Sequence, residues 1–175
     1  MKALVEALRA QGGILAESVH ADGNGHARRG DLAQRAARGP RATGHEADYE
    51  LLLELIIEGS RLHYGVPQFV RTDDADLALL LGDQLYALGL ARLAALGDLE
   101  AVAELADVIS LVAQAHAAAD SDLADAIWRA GASAIGWGAS EAYSTAKAGA
   151  RAQRAGTHEA LVAVTVPALR DARPA

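Results

Sequence analysis

The longest apolar stretch of the chain, residues 74–96, reads DADLALLLGDQLYALGLARLAAL. Leu and Ala favour helix, and apolar residues cover nearly every face of the helix that this stretch would form. Asp83 and Arg92 would make a bilayer crossing costly, so we expect other protein, rather than lipid, to shield the helix from water. Gly82 and Gly89 share one face, where the missing side chains would let another helix approach closely.

Helical patterns also flank this stretch, and no segment alternates with the period of two that is typical of a strand. Upstream, Glu recurs every fourth position along residues 46–64 and leaves the other faces to Leu and Ile, which indicates a helix packed on several sides. Gly65 and Pro67 end this helix. Further helices are predicted over residues 2–10, 99–117, 120–154 and 157–171, with a bend or split near Trp137. We therefore predict an all-α fold, a bundle of about five to six helices.

Composition divides the chain into a basic, Gly- and Arg-rich N-terminal arm, residues 1–44, and a helical domain, residues 45–175. Residues 1–45 carry seven Lys and Arg against four Asp and Glu, whereas the rest carries nine against nineteen. Low apolar content over residues 22–44 indicates a linker or mobile arm, even with a short helix over 31–38. We interpret it as a solvated tail; the alternative is an arm that touches a phosphate or an acidic partner. Its basic residues are Arg28, Arg29, Arg35, Arg38 and Arg41.

Charge and motif content exclude several classes of function. The net charge of −7 gives an acidic body that repels phosphates, so we expect no nucleic-acid partner. The chain has no cysteine, which excludes disulfides, thiolate catalysis and Cys-ligated metals. Its histidines form neither a His-x₃-His pair nor HExxH, and no GxSxG, GxGxxG or Walker loop occurs. Residues 1–15 lack the apolar core of a signal peptide, so we predict a cytoplasmic protein without a membrane span.

Two groups of carboxylates are candidates for chemistry. Asp73, Asp74 and Asp76 could hold Mg²⁺, but acidic residues are common at helix starts. We favour an N-cap interpretation, in which Thr72 or Asp73 accepts hydrogen bonds from the free backbone donors of the first turn. Asp83 is a single carboxylate among apolar residues, and a buried charge needs a partner. We expect a structural ion pair with Arg61 or Arg92, or a contact with a second chain.

Three short motifs carry a resemblance to a known family. They are LLLGDQLYA at residues 79–87, AALGD at residues 94–98, and a following helix that ends in AQAH at residues 113–116. Their order and spacing resemble those of the trans-polyprenyl diphosphate synthases over residues 48–135. The resemblance implies about half of an isoprenoid synthase fold.

The departures from that family imply a non-catalytic role. Family members bind Mg²⁺ and the allylic diphosphate through two Asp-rich motifs, and the place of the first, residues 58–64, reads EGSRLHY. The chain also ends before a second such motif. It is therefore similar to the non-catalytic small subunits of heptaprenyl and hexaprenyl diphosphate synthases, which bind no metal themselves and depend on the Mg²⁺ of a catalytic partner. The resemblance and the apolar helix together predict an interface at Leu79, Gly82, Asp83, Tyr86, Gly89 and Leu93.

Two other hypotheses stay open from the residues alone. The chain could be a helical homodimer or adaptor with no relation to isoprenoids. It could also be a Mg²⁺-dependent enzyme acting on diphosphates, with Asp73, Asp74 and Asp76 on the metal and arginines of the basic arm on the phosphates. Whether the chain is an enzyme is thus uncertain from the sequence, which favours a non-catalytic partner of a prenyltransferase.

Overall fold

The computed structural model describes residues 2–20 and 31–170, and within them the fold is all-α, as predicted. The only strand-like pairing of these residues is an isolated antiparallel bridge between Val19 and Val70. The helices are α1 (Lys2–Ala10), α2 (Gly13–Glu17), α3 (Asp31–Ala36), α4 (Glu46–Tyr64), α5 (Ala75–Ala95), α6 (Leu99–Ala117), α7 (Ser121–Trp137), α8 (Glu141–Arg151), α9 (Thr157–Val164) and α10 (Pro167–Arg170), with a 3-10 turn at Pro40–Ala42.

The three long central helices α4, α5 and α6 match their predicted ranges, but the described residues hold ten helices, more than the predicted five or six. The predicted segment 120–154 splits after Trp137, because Gly138 adopts a positive φ of 93° that continues no helix. The predicted last helix also splits, with Thr165 in an extended conformation before Pro167. The remaining additional helices are short.

Helix α4 lies between two hydrophobic cores and is buried on several sides, as its sequence indicates. Its Leu52 and Ile56 join the larger core, to which α3, α6, α7 and α8 contribute. Its Leu55 and Leu62 join a smaller core, which α1, α2 and one side of α5 complete. Helix α4 thus contributes side chains to both cores and links the helices of one core to those of the other.

The solvated-arm interpretation is wrong for the part of it that the structure describes, residues 31–44. Five apolar side chains of this part are at most 2% exposed in the larger core: Leu32, Ala33, Ala36, Ala37 and Ala42. Gly39 lies so close to α7 that an added Cβ would sit 2.2 Å from the Gly136 carbonyl oxygen. Alanines and a glycine therefore pack tightly where large apolar residues are missing. Arg28 and Arg29 lie outside the described residues.

Two of the arm's arginines bind within the chain. Arg35 donates to the Ala168 carbonyl at 3.0 Å, and Arg41 donates to both carboxylate oxygens of Asp98 at 2.8 Å. Asp98 also accepts from the Tyr49 hydroxyl at 2.6 Å and caps α6 through the Ala101 N–H at 3.0 Å. These contacts cross the predicted domain boundary at residue 44 and tie the N-terminal segment to α4 and α6.

Burial alone would raise the pKa of Asp98, but the hydrogen bonds from Tyr49 and Arg41 outweigh it, and the pKa is lowered from 3.8. A lowered folded-state pKa contributes stability that is fully present above the unfolded pKa and is lost as the pH falls through the folded one. We therefore expect part of the acid-induced loss of stability, below about pH 4, to come from Asp98.

Asp98→Asn should lower the free energy of unfolding at neutral pH by about 1–3 kcal/mol, since Arg41 and Tyr49 lose their charged acceptor. It should also flatten the fall in unfolding free energy between about pH 5 and pH 2. Urea denaturation at several pH values measures both effects. Asp122→Asn, at an exposed position in the first turn of α7, is the matched control and should keep the wild-type slope. Equal slopes for wild type and Asp98→Asn would contradict the assignment.

Candidate functional site

Helix α5 begins with an acidic N-cap, as the sequence favours, but the capping residue is Asp74 and not the predicted Thr72 or Asp73. The Asp74 carboxylate accepts the N–H groups of Asp76 at 2.9 Å and Leu77 at 3.0 Å, and Thr72 Oγ1 accepts the Asp74 N–H at 3.1 Å. These bonds satisfy backbone donors that a helix start leaves free. Among the residues that the structure describes, no group of three or more His, Cys, Asp or Glu side chains is arranged to hold a metal ion, the Asp73–Asp76 turn included.

The connector before α5 is fixed by Glu58, which is fully buried. Its Oε1 accepts three successive backbone N–H groups, from Gln68 at 2.7 Å, Phe69 at 2.6 Å and Val70 at 3.1 Å. Arg61 lies 3.3 Å from Oε2, and burial lowers the pKa of its guanidinium despite the attraction of Glu58. A buried carboxylate is tolerated when its lone pairs are used in this way. From the sequence, Glu58 is only the last of the four glutamates that recur every fourth position along α4, here called the acidic stripe: Glu46, Glu50, Glu54 and Glu58.

The inner face of α5 packs against α4 through glycines. A Cβ added to Gly59 would lie 2.9 Å from the Gly82 carbonyl oxygen, and one added to Gly82 would lie 3.1 Å from that of Gly59, so the two backbones touch. About two turns further along α5, Gly89 lies against Ile56 in the same way. The predicted close approach of a helix to the glycine face is thus confirmed, and the approaching helix is α4 of the same chain.

Asp83 meets neither of the arginines that the sequence suggested. It lies beside the His63 ring, with 3.1 Å between Oδ1 and Nε2, and its side chain is 69% exposed. The reason is the glycine contact: it places α5 against α4 at Gly59, and His63 is one helical turn beyond Gly59. The predicted ion pair of Asp83 with Arg61 or Arg92 is therefore wrong, because the neighbouring side chain is His63. The Asp83 carboxylate is also exposed rather than buried.

Aromatic rings extend this contact. The Tyr86 ring stacks on His63 with centroids 5.2 Å apart, and the Tyr64 ring stacks on His116 of α6 with centroids 4.4 Å apart. Burial raises the pKa of Tyr86, which keeps its hydroxyl protonated. The rings tie the end of α4 to both α5 and α6.

The opposite side of α5, here called the outer face, is exposed and mainly apolar, with two carboxylates, Asp76 and Asp83, in its N-terminal half. Its exposed residues are Asp76, Leu80, Asp83, Gln84, Ala87, Ala91, Ala94 and Ala95. Leu80 is 65% exposed and its neighbour Leu79 is 45% exposed. Only five of the 21 residues of α5 are buried. The expectation that protein shields this helix on all sides is therefore wrong for the single chain.

Among the described residues, α5 is also the one helix long and apolar enough to cross a membrane by length and composition. A single helix of this kind, with one face packed on α4, is no clear membrane span. Its outer face is instead an exposed apolar surface, and such surfaces commonly mark interaction sites.

The structure divides the six predicted interface residues between the two faces of α5. Gly82, Gly89 and Leu93 are buried inside the chain, while Leu79 and Asp83 remain at the surface, with Tyr86 between them. An intermolecular interface at the three buried residues is therefore corrected to an intramolecular one. Sequence reasoning missed Leu80, Ala87 and Ala91, although they follow from the helical period once the glycine face is known to point inward.

Comparison of the chain with family models, with curated proteins and with solved structures finds no match in any of the three.

Gly89→Ala tests the close contact between α4 and α5. The added Cβ would lie 2.4 Å from Ile56 Cγ1 and 3.0 Å from the Leu52 carbonyl oxygen, so the helices must separate. We expect a loss of about 1–3 kcal/mol in the free energy of unfolding, despite the better helix propensity of Ala. Chemical denaturation measures it. Ala91→Leu, a larger addition on the outer face, should change it by no more than about 0.5 kcal/mol. Similar losses in both variants would contradict the packing.

Glu58→Gln tests whether the Glu58 carboxylate holds the connector before α5 in place. The variant leaves Arg61 without its buried carboxylate and weakens the bonds to residues 68–70, so we expect a loss of about 3–5 kcal/mol in the free energy of unfolding. Denaturant titration gives this value, and hydrogen exchange at Phe69 and Val70 should quicken. Glu50→Gln, two turns earlier on the same stripe and only partly buried, is the control. A loss no larger than that of the control would contradict this role of Glu58.

Proposed function

We propose that this chain is a non-catalytic subunit of a heteromeric polyprenyl diphosphate synthase, and that it docks on the catalytic subunit through the outer face of α5. The observation that carries the proposal is the exposure of Leu80, Ala87 and Ala91 on the helix that bears the Gly82-Asp83 motif of the resemblance. An exposed apolar face of this length is costly in water and is typical of a surface that a partner covers.

The packing of α5 supports a docking role because it makes the outer face rigid. Gly59 and Gly82 hold α5 against α4 at backbone contact, and Glu58 fixes the connector before it. A helix held in this way loses little conformational freedom on binding, so more of the contact energy appears as affinity. Such a helix fits a groove between helices of a partner.

Charge suggests the character of the partner surface. Asp76 and Asp83 are exposed at the N-terminal part of α5, and Arg92 is the single basic residue of the helix. A complementary partner would present small apolar residues opposite Ala87 and Ala91, with Lys or Arg opposite the two carboxylates. In this proposal Mg²⁺ is bound by the catalytic subunit, and the complex acts in the cytoplasm.

A homodimer is the second candidate, and one observation favours it. Ala87, Ala91 and Ala95 recur every four residues on the outer face, a spacing of small residues that allows two helices to approach closely. In an antiparallel pair, Asp83 of one copy would lie toward Arg92 of the other. The same surface would then serve self-association, with no relation to isoprenoids.

The decisive experiment is coexpression with a catalytic polyprenyl diphosphate synthase subunit that carries both Asp-rich motifs and comes from the same genome. We expect a stable heteromer with Mg²⁺-dependent prenyl transfer. Leu80→Glu combined with Ala87→Glu should weaken the heteromer at least tenfold, since charges would be buried in an apolar contact. Size-exclusion chromatography and product analysis measure both effects.

The control is Ile14→Glu, which places the same charge on a similarly exposed aliphatic residue of α2. It should leave the heteromer intact. Failure of the wild-type chains to associate and gain activity would refute the proposal. A homodimer of the chain alone that the outer-face variant dissociates would establish the second candidate, and turnover by the chain alone with Mg²⁺ would favour the diphosphate-enzyme hypothesis.

A further inference from the structure

Helices α8 and α9 form the walls of a groove that is widely open to solvent and has a volume of about 850 Å³. The two helices are joined by a short turn and contribute nothing to the outer face of α5, so the groove is independent of the proposed docking surface. Its central lining is small and, apart from Thr145, apolar: Ala142, Ala146, Gly149, Ala160, Ala163 and Val164. A cavity of this volume is within the range that small-molecule ligands occupy in proteins.

The groove is open because its walls lack large side chains. Along α8, the lining from Glu141 to Gly149 covers eight helical steps, a length of about 12 Å. Toward the C-terminal end of α8, Gly149 lies against α9, and an added Cβ would be 3.0 Å from Thr157 Oγ1. The helix is held from its other side, since Lys147 binds Glu104 at 2.6 Å and Asp107 at 2.9 Å.

The two ends of the groove differ in charge. Arg154 lies at the end near Gly149, where its Nε and Nη2 atoms are 3.7 Å from the position of a Gly149 Cβ. Among the described residues no carboxylate forms an ion pair with this exposed guanidinium, whereas Lys147 and Arg151 are both paired with carboxylates of α6. Glu141 lies at the opposite end of the α8 wall.

Helix α9 adds to the positive potential at the Arg154 end. It begins at Thr157, next to Arg154, and its N-cap residue Gly156 offers no side chain to the free backbone donors. The positive end of the helix dipole and the guanidinium thus lie at one end of an apolar groove. A ligand that matches this arrangement has an anionic group at one end and a hydrocarbon chain behind it.

We propose that the groove binds a single-chain amphiphile with an anionic head, either a carboxylate or a phosphate ester. The head would pair with Arg154, and the chain would lie along the alanines of α8 and α9. The volume suits one chain of medium length rather than the paired chains of a bilayer lipid. The net charge of −7 opposes the approach of an anion, so binding of the head depends on the local positive charge of Arg154.

The probes are decanoate and decyl phosphate, each used as free monomer, with binding followed by titration calorimetry and by thermal stability. We expect both to bind and to raise the melting temperature progressively, with the logarithm of their concentration once it exceeds the dissociation constant. Inorganic phosphate, which has no chain, and decanol, which has no charge, should bind at least tenfold more weakly. Equal binding of decanol, or of inorganic phosphate, would overturn the proposal, and so would absence of binding by both charged probes.

Two variants test the placement of the ligand. Arg154→Gln should weaken both charged probes roughly tenfold and leave the weak binding of decanol unchanged. Ala163→Phe fills the groove at an exposed lining position, so it should reduce binding of every chain-bearing probe while the apo protein keeps its melting temperature. Arg9→Gln removes the same charge from exposed α1 and is the control. Undiminished binding in Arg154→Gln and Ala163→Phe would overturn the site.

Vesicles that contain an anionic phospholipid separate a free amphiphile from a membrane surface. Cosedimentation with these vesicles should be no greater for the wild type than for Arg154→Gln. Cosedimentation that depends on Arg154 and that decyl phosphate fails to displace would assign the groove to a membrane surface and overturn the proposal.

Discussion

The backbone contact between α4 and α5 at Gly59 and Gly82 is the constraint on which the arrangement of the surface depends. With no side chain at either position, the helices meet so closely that α5 can present only one face to α4. This contact turns Gly89 and Leu93 inward and Leu80 outward. It also brings Asp83 beside His63, a contact that follows from the position of the helices and not from the properties of Asp83. The proposed docking surface is therefore a consequence of how the glycines are placed.

Helix α4 gives that contact its support, because it is buried by both cores. Its acidic stripe passes from solvent into the interior: Glu46 is exposed, Glu50 and Glu54 are partly buried, and Glu58 is fully buried. Three backbone N–H groups and Arg61 offset the cost of burying that last carboxylate. The same bonds hold the connector, which in turn pairs with the N-terminal segment through Val19 and Val70.

Small residues have two opposite effects in this protein. At Gly59, Gly82, Gly39 and Gly136 they let helices close on one another, and little space remains. Between α8 and α9 they line an open groove, because no neighbouring element in the described part of the chain fills the space that their missing side chains leave. Composition cannot distinguish the two situations, since both depend on which helix lies opposite. The docking surface on α5 and the groove of α8 and α9 are accordingly separate proposals with separate residues.

The sequence by itself determined the helical class, the limits of α4, α5 and α6, and an acidic N-cap before α5, though not that Asp74 is the capping residue, because helix propensity, capping and periodicity are local properties of the chain. Only the tertiary structure decided that residues 31–44 pack into the core, that His63 is the partner of Asp83, and which side of α5 stays open. These depend on contacts between residues distant in the sequence. An amphipathic pattern would have revealed the open side, but α5 is apolar nearly all round, so its orientation came from the glycine contact with α4.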